Sequence, residues 1–217
     1  MLFRSPGQQE INACLELIGW DKVQWDGERI GLPLPGMELD FGGLVKEYAA
    51  DAAAATLREA GLNHALVNLA GDIAVTGPQA PGQAWHTGIS NPENPDVAMA
   101  TVAISGGGLA TSGDYQRHIE IDGDRLSHLI NPKTGWPARG LASVSVLADQ
   151  CLIAGSSATL AILMEREAGL AWLGSAGLSW LAIDTAGGVH GTIAHSDTDA
   201  HSNTHSDPGS AKLSSST

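Results

Sequence analysis

The sequence predicts an α+β fold, with mixed and antiparallel sheets and packed helices. Three observations predict it. Paired short alternating runs flank Asp26-Gly27 and Asp122-Gly123, two strong hairpin signals. Helical runs are separated by several strands rather than one at a time. No regular βαβ alternation is present, which argues against a doubly wound parallel sheet.

The elements follow in order. Ser5-Pro6 before "GQQEINACLELIGW" reads as a capped helix, with Ser5 as N-cap, Pro6 at the first helical position and Gln8 completing a capping box. Ile11, Cys14, Leu15 and Ile18 form its apolar face, and Gly19 stops it. "KVQWDGERIGLP" is the first hairpin. "MELDFGGLVKEYAADAAAATLREAG" is a strand ending at Asp40, a glycine pair and a long Ala-rich helix stopped by Gly61. "HALVNLAGDIAVTG" is a buried strand that breaks at Ala70-Gly71-Asp72 and resumes. "AWHTGIS" and "VAMATVAIS" are strands, and "GGGLATSGDY" is a glycine-rich loop. "HIEIDGDRLSHLI" is the second hairpin. "LASVSVLA" is a strand, "CLIAGSSATLAILM" a helix of small residues, and "GLAWLGSAGLSWLAID" a short helix and a strand.

The 217 residues suit one domain with a tail. The domain is placed at 1–194. Residues 195–217, rich in Ser, Thr, Asp and His without apolar periodicity, are expected to be disordered. The tail histidines His195, His201 and His205 read more simply as solvated than as metal ligands. The apolar fraction of 43% supports a full core, and the scarcity of Phe and Tyr means it packs through Ala, Gly and branched aliphatics. A net charge of −13 gives no electrostatic drive toward nucleic acid. No stretch is long and apolar enough to span a bilayer, and "MLFRSPGQQE" has no apolar signal core. Cys14 and Cys151 are expected to be two buried free thiols.

Several segments carry chemistry-bearing residues. In "DFGGLVKEYAAD", glycines precede a helix N-terminus that carries Lys46 in its first turn, an arrangement suited to an anion. Taken alone it reads more simply as a strand-to-helix turn with Lys46 in water. Asp72 is suited to a metal or a hydroxyl, and more commonly to a turn. "GDRLSHLINPKTGWPARG" sets His128 beside an Asn131-Pro132 turn and Lys133. Thr159 lies on the small-residue helix.

Together and in this order, "ELDFGGLVKEYAAD", "ALVNLAGDIAVTG", "LATSGDYQRHIEIDGDRLSHLINPKTGWPA" and "SVSVLADQCLIAGSSATLAIL" resemble the ApbE family of FAD:protein FMN transferases. The resemblance runs from about Gln8 to about Ala194 and implies an ApbE-like fold. It also implies Mg²⁺-dependent cleavage of FAD, with transfer of FMN to a threonine of an acceptor protein and release of AMP. Some members instead hydrolyse FAD to FMN and AMP. Asp40 and Lys46 match positions that contact FAD, and Leu129 one along the flavin site. Gly43 matches a main-chain Mg²⁺ ligand, and Thr159 a hydroxyl Mg²⁺ ligand. His128 matches the histidine that activates the acceptor hydroxyl. Such proteins are often exported to the periplasm or held at the membrane.

The same resemblance marks departures. Gly155 stands where the family has its aspartate ligand, so Mg²⁺ is expected to bind weakly unless Ser156, Asp149 or a water substitutes. On a helix Ser156 points about 100° away from residue 155. Glu47 replaces the glycine after the lysine, and Ala70 one of a glycine pair; both add bulk near the site. Family members carry a further half before the first helix that supplies part of the adenine and flavin pocket, so this chain is expected to be N-terminally truncated. The rival readings are a non-catalytic flavin- or protein-binding module and a structural remnant that exposes an apolar face.

Overall fold

A computed structural model describes residues 5–92, 94, 96–113, 118–121 and 124–194. The elements are α1 (Gln8–Leu15), a 3₁₀ turn (Trp20–Lys22), β1 (Gln24–Trp25), β2 (Ile30–Gly31), α2 (Val45–Glu59), β3 (Leu66–Leu69) and β4 (Asp72–Val75). Then come β5 (Trp85–Ser90), β6 (Ala98–Ile104), β7 (Gly107–Gly113), β8 (His118–Ile121), β9 (Asp124–Ser127) and β10 (Leu141–Ala148). The chain closes with α3 (Cys151–Leu163), α4 (Arg166–Ser175), β11 (Ser179–Asp184) and β12 (Val189–Gly191). This is the α+β architecture the hairpin signals predict.

Six strands form one antiparallel sheet in the order β12-β11-β10-β7-β4-β3. Strand alternation sorts its side chains into two layers. Ala74, Ala110, Val144, Val146 and Ala182 face α2, α3 and α4. Ile73, Val75, Leu109 and Leu181 face the other way, onto the β5–β6 hairpin. The small residues of α3 let its backbone lie close on the sheet. A Cβ on Gly108 would stand 2.6 Å from the Ile73 carbonyl and 2.7 Å from the Cys151 Cα.

Several expectations change. The glycine-rich stretch read as a loop contains β7, paired on both sides within the sheet. Gly108 within it serves close approach to α3. The strand expected to break at Ala70-Gly71 is instead a hairpin, with β3 and β4 antiparallel. Ala70 and Gly71 both have positive φ, 54° and 96°, which makes the two-residue turn that matches strand twist. Ala70 bears a Cβ penalty there, so Ala70→Gly should raise stability by about 0.5–1 kcal/mol, net of the entropy glycine adds to the unfolded chain. Thermal melting checks this.

The segment entering Asp40 is irregular rather than a strand. α1 is capped at Gly7, whose amide donates to Glu10 Oε2 at 2.7 Å, rather than at Ser5 through Gln8. The three-residue spacing of the box is the one expected, but it is shifted two residues along the chain, because the helix starts at Gln8 rather than at Pro6. α1 ends at Leu15, short of Gly19. Both cysteines are free, but Cys14 is exposed and only Cys151 is buried. Burial, reinforced by nearby carboxylates, pushes the Cys151 thiol up to about 12. β12 was not anticipated. The tail from His195 lies outside the described residues.

Candidate active site

α2 and α3 organise the site. Asp51 on α2 accepts from the amides of Cys151 and Leu152, both at 2.9 Å, and so caps the start of α3. One turn earlier on α2, the carboxylate of Glu47 lies against Gly155, one turn later on α3. The helices therefore run antiparallel with matched turns.

The first turn of α2 begins where the Leu44 and Val45 amides donate to the Phe41 carbonyl, each at 2.9 Å. Asp40 is exposed, and its Oδ1 accepts from the Gly42 amide at 2.6 Å, shaping the entry turn. Lys46 forms an ion pair with Asp72. Asp72 is 2% exposed at the start of β4, directly after the tight turn. The residue read mainly as a turn former is thus the buried partner of the site lysine.

Thr159 on α3 shares a hydrogen bond of 2.7 Å with Ser112 on β7. The glycine-rich stretch, as strand β7, thereby fixes a hydroxyl pair against α3 one turn beyond Gly155.

The His128 loop approaches the same helix. Asn131, 7% exposed, donates through Nδ2 to the Leu163 carbonyl at the end of α3. Its backbone carbonyl accepts from Gly135, its side-chain oxygen accepts from the Lys133 amide, and its own amide donates to Trp136. The Asn-Pro turn is therefore a rigid clasp. His128 is exposed just before it, and Leu129 is half-buried against the helix-side core. Lys133 is an exposed turn residue. α1 rests on this loop: Gly135, with φ of 71°, leaves no room for a Cβ beneath Ile11, and Trp136 Nε1 donates to Gln8 Oε1 at 3.3 Å.

A cleft of about 470 Å³ opens between α1 and the segment leading to α2, lined by Cys14, Leu17, Trp20, Met37, Leu39 and Asp40. Trp20, Trp25, Phe41 and Tyr48 are all more than half exposed in this region.

Sequence reasoning missed Glu47 as more than bulk. It is 5% exposed, and its Oε2 has no hydrogen-bond partner. Burial pushes its carboxyl above the usual range, Asp72 adds to this, and its own amide and Lys46 only partly offset it. The signal was present: 47, 50 and 54 fall on one stripe of α2, and Ala50 and Ala54 are fully buried. Asp149 is exposed. An orphaned buried carboxylate oxygen near a hydroxyl pair is an oxygen donor set of the kind a hard divalent cation takes.

The family model of ApbE matches residues 2–181. The chain belongs to the ApbE family. It is 30% identical over 168 residues to the FAD:protein FMN transferase of Vibrio cholerae, covering 76% of this chain and 50% of that protein. A Klebsiella pneumoniae FAD:protein FMN transferase is 34% identical over 172 residues, covering 77% and 52%. Among solved structures, the ApbE protein of Thermotoga maritima matches with a TM-score of 0.80 and 28% identity, over 87% of this chain and 62% of that one. The apo flavinyl transferase ApbE of Pseudomonas stutzeri matches with a TM-score of 0.75 and 31% identity, over 88% and 60%. This ApbE chain spans about half the length of the curated relatives it matches.

Proposed function

We propose that this chain carries the catalytic half of a flavin transferase, moving FMN from FAD to a threonine hydroxyl of an acceptor protein and releasing AMP. The observation that carries the reading is convergence. Glu47, next to Lys46, lies on Gly155 of α3, Ser112 bonds Thr159 one turn on, and Asn131 of the His128 loop bonds Leu163 one turn further. The relatives that match are FAD:protein FMN transferases.

In the proposed reaction the threonine oxygen attacks the phosphorus on the FMN side of the FAD pyrophosphate. The bond from that phosphorus to the bridging oxygen breaks, and AMP leaves with the electron pair. His128 takes the hydroxyl proton as general base. The α2 N-terminus and Lys46 orient the phosphates, with Asp72 holding the lysine in place. Asp40 and Leu129 contact FAD, Leu129 on its flavin side. The cleft that ends on Asp40 offers apolar walls to a planar ring. The Gly43 carbonyl and the Thr159 hydroxyl would hold Mg²⁺, which would supply charge neutralisation on the phosphoryl oxygens.

The test is AMP release from FAD with and without Mg²⁺, together with flavin fluorescence on a threonine-bearing acceptor. Magnesium-dependent release with a labelled acceptor is expected. AMP release without labelling would favour the hydrolase reading. Flavin binding without any AMP would make the chain a binding module and overturn the transferase reading.

A further inference from the structure

We propose that Glu47 supplies the anionic ligand of a divalent-cation site on the seam between α2 and α3, in the space that Gly155 leaves open. The inference deepens the proposed function by assigning the one charged oxygen that the metal needs.

The first observation is the fit of Glu47 to Gly155. A Cβ built on Gly155 would meet Glu47 Cγ at 2.5 Å, Oε1 at 2.7 Å and Cδ at 2.9 Å. The carboxylate therefore lies flush on α3, where a side chain at 155 would begin. A carboxylate carried by α2 occupies the position of one carried by α3. Neither Ser156 nor the exposed Asp149 is needed for this.

The second observation is independent. Glu47 is 5% exposed, and its Oε2 has no hydrogen-bond partner. Burying a carboxylate is costly unless a cation or donors compensate it. Asp51, one turn along α2, accepts two amides. Asp72 has Lys46. Of these three carboxylates Glu47 alone has a buried oxygen without a hydrogen-bond partner, and the neighbouring Asp72 adds to the negative charge.

The third is the chemistry of the surroundings. The face of α3 that carries Gly155 carries Thr159 one turn on, with Ser112 against it. Among the described residues no three His, Cys, Asp or Glu side chains gather to hold a metal. The donors at hand are one free carboxylate, hydroxyls and main-chain oxygens. That set suits Mg²⁺, which takes few carboxylates and retains several waters. It does not suit zinc, which wants sulfur and nitrogen.

The test reads cation binding on the full chain without FAD or acceptor. Mn²⁺ is titrated as a spectroscopic stand-in and followed by electron paramagnetic resonance, with Mg²⁺ as competitor. One Mg²⁺-displaceable Mn²⁺ is expected. Glu47→Gln, nearly the same shape, should weaken binding by more than about tenfold, the lower bound for even an outer-shell partner of a metal. Its melting temperature without metal should be unchanged or higher, because an uncompensated buried charge is removed. Gly155→Asp alone should destabilise the fold through its collision with Glu47, while the exchange E47G/G155D should restore both stability and Mn²⁺ affinity. Equal Mn²⁺ binding by wild type and Glu47→Gln, or no binding by wild type, overturns the proposal. Transfer activity with Glu47-independent binding would sink this inference and spare the transferase reading. Glu47-dependent binding without transfer would do the reverse.

Discussion

Replacing His128 with alanine should slow flavin transfer by about 10²–10⁴-fold, the usual contribution of a positioned general base. The fold should survive the change. The loop's shape is carried by Asn131, through its bonds to Lys133, Gly135, Trp136 and Leu163, and by the packing of Leu129 against the core. His128 itself is exposed. The measurements are transfer rate at saturating FAD, FAD affinity and melting temperature. A large fall in rate with the other two unchanged identifies a proton-transfer role, and partial rescue by added imidazole would strengthen it. An unchanged rate would remove His128 from the chemistry.

Asp184→Ala should cost about 2–3 kcal/mol at neutral pH, from losses at the far side of the sheet. Asp184 is 5% exposed at the end of β11. Its Oδ2 accepts from Arg166 Nε at 2.9 Å and lies 3.0 Å from His190 Nε2. Its Oδ1 accepts from the Ala186 and Gly188 amides, at 3.0 and 2.8 Å. One carboxylate thus ties the start of α4 to the β11–β12 turn. The figure is kept low because Arg166 and His190 are partly in water, where ion pairs contribute little. The His190 contact, then the amides and Arg166, hold the Asp184 carboxyl well below the usual carboxylate range. A depressed native pKa gives stability that is present above the unfolded value of about 3.9 and lost as pH falls toward the native one. Urea unfolding at pH 7 and pH 3 should therefore show the gap between wild type and variant shrinking in acid. A constant gap would mean the loss is packing, not charge.

The β1–β2 and β8–β9 pairings were legible because an Asp-Gly pair between two alternating runs signals a hairpin, and α2 because its Ala run favours helix. β7 was not legible. Clustered glycines signal a loop, whereas Gly108 is required by the nearness of Cys151, a contact between distant parts of the chain. The β3–β4 hairpin was hidden because Ala70 stands where a residue without a Cβ would have announced the turn. The candidate site was legible only in part. Periodicity finds buried stripes, and it places Glu47 on one, but it assigns no partner to a charge. The roles of His128, Asp40, Lys46, Leu129, Gly43 and Thr159 came from motif order. The Lys46–Asp72 pair and the nesting of Glu47 on Gly155 required the packed helices.

The seat of α1 on the His128 loop has a consequence for local opening. Ile11 is the one buried residue of α1, resting on Gly135, and a single side-chain hydrogen bond joins Gln8 to Trp136. So small a contact gives α1 a far lower opening free energy than the sheet, whose strands are paired and covered on both faces. When α1 lifts, the loop loses the roof over its turn. Hydrogen exchange at the α1 amides faster than at the sheet amides is therefore expected, and with it exposure of the loop next to His128.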